Sequence, residues 1–354
     1  MKVLIIQQKR IGDVLTTTIL ANIIKANFPE ASVDYMCYSY CTDVLQGNSA
    51  IDNIIVLEET VRKKYGLFFK FIHDIRNKKY NIVIDAYSKL ETNLITTFSG
   101  AKYKISYHKG YSNIFYNHNI KRLPNGTKSE YGLAIENRLK LLEPLKLKDI
   151  SDFKPKLFLS EIEIATAKKT LLDAGIDKHK PLFMIGILGS EWYKTYPLEN
   201  MAELLDYTVA QTNASLLFNY IPNQKEDAIK LYNLLSEATQ KHVYFDVYAD
   251  SLRSFLGILS QCTALIGNEG GIVNMAKALQ IPTFSLFSPS VDKETWQIFE
   301  DEKNISIHLK DLKPEIYSEF DEKHIKEHTF EYFNAYPIDT IKEKLKLFFN
   351  VILN

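Results

Sequence analysis

The sequence has no excess of charge: across 354 residues, 43 lysines and arginines stand against 43 aspartates and glutamates. Without a basic surplus the chain as a whole has no field for sequence-independent nucleic-acid binding, so no nucleic-acid partner is expected and any anion site must be local. Cysteine is scarce. The thiols of Cys37, Cys41 and Cys262 are odd in number and too few to staple so long a chain, which points to reduced cysteines in a reducing compartment. No window reaches the roughly 18 consecutive apolar residues of a membrane span. Even the apolar stretch 255–266 is broken by Ser260, Gln261 and Thr263. After MKVLII the chain turns to QQKR, too short an apolar run for a signal-peptide core, so a cytoplasmic protein is expected. Short-period repeats and low-complexity tracts are absent, which excludes solenoids and linkers.

What is present is close to the composition of an average soluble globular protein, 46% hydrophobic and 24% charged, which argues against disorder or a fibrous repeat. The length suits two α/β domains of about 100 to 200 residues each. Apolar, β-branched runs alternate with helical patterns. Strands are expected at 3–6, 32–38, 53–57 and 81–86, with a helix over 14–26 after the first. After the Pro- and Lys-containing stretch 143–156 the rhythm restarts, with strands at 181–188, 215–221, 242–247, 264–268 and 283–287. Helices are expected at 160–174, 198–212, 224–236, 252–260 and 272–279, and a closing helix follows Pro337. Such βαβ series build parallel sheets. The expected architecture is two Rossmann-like α/β domains facing a central cleft, 1–152 and 153–337, with 338–354 packing back across them.

Three loops carry candidate chemistry. Lys9-Arg10-Ile11-Gly12-Asp13 lies between the first strand and helix, where doubly wound sheets place reactive groups. Asp13 reads either as a helix cap, which stabilises by about 0.5 to 2 kcal/mol, or as a reactive carboxylate. Gly12 would serve the turn, and Lys9 and Arg10 make the loop receptive to anions. Gly267-Asn268-Glu269-Gly270-Gly271 runs from a strand into a helix. It is either a plain glycine-containing turn or a diphosphate cradle in which Gly270 and Gly271 admit close approach and Glu269 meets a ribose or sugar hydroxyl. It is not the G-x-G-x-x-G fingerprint, so no nicotinamide cofactor is inferred. Gly189-Ser190-Glu191-Trp192-Tyr193-Lys194 follows the first strand of the second half. There Lys194 is either a solvated loop lysine or a point charge on a leaving phosphate, with Ser190 as a hydrogen-bond donor.

Two patterns are read as structural. His324-x-x-Glu327-His328 matches an H-x-x-E-H metal motif but sits among Asp321, Glu322, Lys323 and Lys326, the composition of a solvated helix. Cys37 and Cys41 lack a second ligand pair, and a buried thiol in a strand-like run is ordinary. The aromatic and basic stretch 63–79, together with 103–122, is either a helix with core aromatics or a surface that meets anionic lipid.

Taken together, the motifs resemble glycosyltransferase family 9, the ADP-heptose:lipopolysaccharide heptosyltransferases. Ile11-Gly12-Asp13-Val14-Leu15 matches the family's (I/L)-G-D-V-L turn. Lys194-Thr195-Tyr196-Pro197 matches its K-x-W-P element, and 267–279 matches its (T/S)-N-D-(T/S)-G-x-x-H-x-A-x-A-L element. The stretch 130–145 is similar to the family's helix before the domain linker. The resemblance implies a GT-B fold and an inverting, metal-independent sugar transfer with Asp13 as general base. It implies further that Lys194, Ser190, Gly189 and the backbone at Gly270-Gly271 hold the departing nucleoside diphosphate, and that Glu226 meets the ribose. No cofactor is implied; the donor is a nucleotide sugar, ADP-linked in the family, and the acceptor is a lipid-linked glycan. The protein would work in the cytoplasm, peripherally at the inner membrane face. Departures fall in the donor element: Glu269 replaces the family's Asp, Gly270 its Thr or Ser, and Asn274 its His, while Tyr196 replaces Trp and Gln7 a common cation. They leave open a GT-B enzyme using another nucleotide sugar, a sugar-nucleotide epimerase of similar shape, or a relic that binds nucleotide or glycan without turnover.

Overall fold

Two parallel sheets, one in each half of the chain, hold every named strand among the described residues. The structure is a computed structural model that describes residues 1–151 and 153–353. It divides into two units, Met1–Phe158 and Leu159–Asn354. The boundary expected at residue 152 lies outside the described residues. The unit boundary itself follows Phe158, which packs onto Gly47: a Cβ on that glycine would come within 2.9 Å of the Phe158 Cβ.

In the N-terminal unit, β1 (Lys2–Ile6), β2 (Ser32–Cys37), β3 (Asn53–Val56), β4 (Ile82–Asp85), β5 (Tyr103–Tyr107) and β6 (His118–Ile120) pair in the order β3-β2-β1-β4-β5-β6. Ile6 stands opposite both Met36 and Asp85, so β1 is central. Its run Val3–Ile6 is fully buried, as a strand covered by helices on both faces requires. The helices are α1 (Ile11–Thr17), α2 (Ile19–Asn27), α3 (Glu59–Lys63), α4 (Tyr65–Asn77), α5 (Leu90–Phe98) and α6 (Leu133–Lys140). On α4, Phe68, Ile72 and Ile75 share one face and join Leu4, Ile6, Met36 and Val83 in the core. The helix expected over 14–26 is broken at Thr18. The hydroxyls of Thr16, Thr17 and Thr18 bond back to the carbonyls of Gly12, Asp13 and Leu15 at 2.7–2.9 Å, a pattern that bends helices.

In the C-terminal unit, β7 (Leu182–Gly186), β8 (Ser215–Asn219), β9 (Ala264–Asn268), β10 (Thr283–Leu286) and β11 (Asn304–Ile307) pair in the order β11-β10-β9-β7-β8. Around them lie α7 (Glu161–Asp173), α8 (Leu198–Thr212), α9 (Lys225–Leu234), α10 (Glu237–Gln240), α11 (Leu252–Leu259) and α12 (Gly271–Ala278). The expected strand 242–247 does not form. It makes a single bridge, Val243 to Leu216, because it runs past the sheet edge with no residue fully buried. The closing helix Ile338–Ile352 buries Ile341, Leu345, Phe348 and Phe349 in the C-terminal unit's own core, where Phe349 stacks on Phe183 at 5.7 Å.

Candidate active site

Parallel sheets bring all their strand-to-helix loops to one edge, and a crevice opens where successive crossovers run to opposite sides. In the N-terminal unit that point is between β1 and β4. The loop 7–10 leaves β1 there and α1 begins at Ile11, which puts Asp13 in the first helical turn with its side chain 31% exposed. One carboxylate oxygen, Oδ1, accepts a 2.8 Å hydrogen bond from Arg138 Nη2; the other, Oδ2, makes only a 3.4 Å contact with the Arg10 N–H. Asp13 therefore caps the helix weakly and presents an oxygen with spare lone pairs. Arg138 comes from α6 and is buried; its Nε donates to Thr17 Oγ1 at 2.8 Å and its Nη1 to the Ala134 carbonyl at 2.6 Å. A guanidinium fixed at three points fixes the carboxylate in turn.

Lys9 and Arg10 are exposed on this loop. Gly12 is the second residue of α1 and helical, so no left-handed turn requires it; the turn expected there is made by 7–10 instead. Gln8 is fully buried with both amide atoms unpartnered. At the end of β4, Asp85 accepts from the N–H groups of Tyr87 and Ser88 and from the Tyr116 hydroxyl at 2.7–3.0 Å. Complete burial pushes its carboxyl above the usual range.

The corresponding point in the C-terminal unit lies between β7 and β9. Gly267 has φ +145°, and a Cβ there would meet the Gly186 carbonyl at 2.3 Å, so the two strand ends touch backbone to backbone. Asn268 stitches the loops that follow. Its Nδ2 donates to the carbonyls of Gly186 and Ile187 at 3.0 Å, and its Oδ1 accepts the Tyr196 N–H at 2.7 Å. The loop after β7 closes tightly on itself: a Cβ on Gly189 would lie 2.4 Å from the Lys194 carbonyl. This geometry carries Lys194 to Glu269, Nζ to Oε2 3.6 Å, an ion pair longer than a hydrogen bond. Burial raises the Glu269 carboxyl while the Lys194 charge opposes the rise.

Gly270 has nothing within 4 Å of where a Cβ would sit, so backbone is accessible at the start of α12, an eight-residue helix whose first N–H groups have no partner within the helix. Ser190 is exposed on the β7 loop, and Asn274 is buried in the first turns of α12. Glu226 is exposed at the second position of α9, after β8, and the ion pair of Lys194 and Glu269 does not include it.

Beside Glu226 is a cavity of about 340 Å³ lined by Tyr220, Pro222, Lys225, Phe245, Asp246 and Tyr248. The Tyr220 and Tyr248 rings lie 5.2 Å apart. Sequence reading missed these aromatics because 242–247 was assigned to a strand. It also missed Arg138, although a lone arginine on the face of Ala134 and Ile135 is the available signal. His308 is buried just after β11, at the opposite side of the sheet; its Nε2 donates to the Val291 carbonyl and its Nδ1 accepts the Lys310 N–H, both at 3.0 Å. Burial lowers its pKa to about 4. The Tyr196 ring is core, edge-on to Phe333 and Tyr336.

The patterns read as structural adjoin these loops: Lys326, within the H-x-x-E-H run, lies over the Tyr193 ring at 4.4 Å, and Cys41, on the turn after β2, feels the Asp13 charge. The helix carrying His324 ends at Glu327, and His328 stacks on His324 at 4.2 Å with its Nδ1 engaged to the His324 carbonyl at 2.9 Å. Cys37 and Cys41 are buried, their thiols pushed up to about 12.

The family model for glycosyltransferase family 9 (heptosyltransferase) matches residues 68–324, well over half of the chain. The chain belongs to glycosyltransferase family 9. It is 21% identical over 305 residues to lipopolysaccharide heptosyltransferase 2 of Escherichia coli K12, covering 82% of this chain and 83% of that one. Its fold is shared with a family 9 glycosyltransferase from Veillonella parvula, with a TM-score of 0.82 at 18% identity over 99% of this chain and 97% of that one. It is shared also with the E. coli heptosyltransferase WaaC, solved with ADP-2-deoxy-2-fluoro heptose, with a TM-score of 0.62 at 16% identity over 87% and 93%. The protein is thus a family 9 glycosyltransferase of two Rossmann-like GT-B domains. In family 9 terms, the Lys194 and Glu269 loops meet in one unit and Asp13 is held by Arg138 in the other. Among the described residues, no helix is long and apolar enough to cross a membrane.

Proposed function

We propose that the protein transfers heptose from ADP-heptose to a lipopolysaccharide-core or related cell-surface glycan, with inversion at the anomeric carbon and without a metal. The C-terminal unit takes the donor. The α12 N-terminus and Lys194 receive the diphosphate, Ser190 and the Gly189 loop flank it, and Glu269 and Asn274 face the sugar. Glu226 accepts from the ribose hydroxyls, and the nucleobase enters the cavity lined by Tyr220, Phe245 and Tyr248, where an aromatic face is the natural partner of a purine.

The N-terminal unit supplies the base. Asp13 Oδ2 accepts the proton of an acceptor hydroxyl, whose oxygen bonds to the anomeric carbon as the bond to the diphosphate breaks and its electron pair leaves with the phosphate. Lys194 and the helix N–H groups carry the charge that grows there. Lys9 and Arg10 suit an anionic acceptor. The observation that supports the reading best is the held carboxylate: Arg138 fixes one oxygen of Asp13 and leaves the other for a proton.

Glu269, Gly270 and Asn274 depart from the family's donor element, which favours one second reading, the same mechanism on a different nucleotide sugar. Calorimetric titration with ADP, UDP, GDP and CDP separates the two. Preference for ADP supports heptose transfer, preference for another nucleotide replaces the sugar, and no binding defeats both in favour of a non-catalytic relic.

A further inference from the structure

The loop after β7 is pinned along its length, yet it leaves its largest side chain bare. Trp192, Tyr193 and Lys194 form a single 3-10 turn. With three residues per turn, their side chains leave the axis about 120° apart, so each meets a different environment. Lys194 reaches Glu269. Tyr193 turns to the run 324–328, where the Lys326 ammonium lies over its ring at 4.4 Å. Trp192 faces water and is 66% exposed.

A lone bare apolar side chain is ordinary on a protein surface. One held rigid beside a reactive ion pair is not. The Gly189 N–H donates to Thr195 Oγ1 at 3.0 Å, the Lys194 N–H to the Glu191 carbonyl at 2.9 Å and the Thr195 N–H to the Trp192 carbonyl at 3.1 Å. From outside the loop, Ser288 Oγ donates to the Tyr193 carbonyl at 2.6 Å. The Tyr193 ring, itself clamped by Lys326, props the indole edge-on, with 5.8 Å between centroids and 84° between planes. The indole is therefore supported at its side, and ordering it on a ligand costs little entropy. Phe330, 59% exposed in the same unit, sits instead on the helix Thr329–Asn334, outside the strand-to-helix loops.

This chemistry suits a sugar ring. Such a ring lines its face with weakly positive C–H groups, which the negative face of an indole attracts, while its hydroxyls need acceptors. Glu191, exposed and adjacent to Trp192, offers a carboxylate. The indole carries no charge for a phosphate, and that role falls to Lys194 on another side of the same turn. We infer that Trp192 is a stacking platform for a sugar ring, the donor's or the acceptor's, with Glu191 accepting from one of its hydroxyls. The inference rests on the donor reading of this unit and extends it to the sugar beyond the phosphates.

The chain has two tryptophans, so in a Trp296→Phe background fluorescence reports Trp192 alone. This protein is titrated with ADP, with ADP-heptose and with a delipidated lipopolysaccharide-core oligosaccharide. A blue shift with ADP-heptose but not ADP assigns the platform to the donor sugar, and one with the oligosaccharide assigns it to the acceptor. Trp192→Ala is expected to weaken binding of that ligand and raise its KM by about three- to tenfold, with ADP affinity kept within about twofold. Trp192→Phe retains an aromatic face and recovers most of the loss, and Phe330→Ser changes none of these values. Trp192 is exposed, so circular dichroism of its variants should match wild type. The inference is overturned if neither sugar ligand shifts the emission, if ADP alone gives the whole shift, or if Trp192→Ala binds both sugar ligands like wild type. It is overturned equally if Trp192→Ala loses ADP affinity as much as sugar affinity, which would make the indole a prop of the loop. ADP binding without a sugar effect defeats this inference alone; a shift with the oligosaccharide in a protein that binds no nucleotide defeats the donor reading alone.

Discussion

Substituting Asp13 and Arg138 separately should have opposite consequences for stability and turnover. Arg138 is buried and donates to Asp13 Oδ1, Thr17 Oγ1 and the Ala134 carbonyl. Arg138→Met removes these charge-assisted bonds but leaves Asp13 in contact with water, so the loss is about 1.5–3 kcal/mol, below the 3–5 kcal/mol of a stranded buried charge. Asp13→Ala does strand a charge, the guanidinium, and should cost more than Arg138→Met. Asp13→Asn keeps an acceptor for Arg138 and should cost no more than about 1 kcal/mol.

Turnover runs the other way. Asp13→Asn loses the base and should slow transfer by about 10²- to 10⁴-fold. Arg138→Met, a positioning change, should lower kcat by about ten- to a hundredfold with the donor KM unchanged, since the donor residues belong to the other unit. Urea unfolding by circular dichroism reads the whole chain, and amide-exchange protection of α1 and α6 reads the N-terminal unit separately. An Asp13→Asn enzyme with wild-type kcat would falsify the base assignment. Arg138→Met with wild-type protection and kcat would show that the ion pair is incidental.

Gly189→Ala places a Cβ 2.4 Å from the Lys194 carbonyl, so backbone must move; nucleotide affinity should drop by about tenfold or more and stability by about 1–3 kcal/mol, and normal calorimetry and melting would contradict the loop's role. Tyr248→Ala should weaken nucleotide binding by about 1 kcal/mol, a factor of five, without lowering the melting temperature; an unchanged Kd would remove the base from this cavity. His308 is neutral in the fold, its pKa lowered to about 4 from an ordinary 6.5. Between these values the unfolded chain binds a proton that the native state refuses, so stability falls as pH drops from 6.5 to 4, by about 3 kcal/mol in all, and levels off below. His308→Gln should flatten that slope in pH-dependent urea titrations, and an unaltered slope would place the proton uptake elsewhere.

The sequence made the central strands legible because β1, β7 and β9 are buried on both faces and read as apolar runs, β7 and β9 leading into glycine-bearing loops. It concealed β5 and the edge strand β6, where Lys104 and His118 interrupt the apolar pattern, and it overstated 242–247, whose Phe245 lines a cavity instead of a ladder. The two donor loops were readable as motifs. What joins them, Asn268 bonding across to Gly186 and Ile187, depends on β7 and β9 being neighbours, which no local pattern states. The same holds for Arg138 and Asp13, distant in sequence and 2.8 Å apart in space.

The most direct test of the central claim is to incubate the protein with ADP-heptose and a lipopolysaccharide-core acceptor, without added metal and with a chelator, and to read ADP release and the anomeric configuration of the product by NMR. The account predicts one ADP per heptose transferred, an inverted anomeric centre, and loss of both signals in Asp13→Asn. A retained configuration, or transfer that persists in Asp13→Asn, would contradict it.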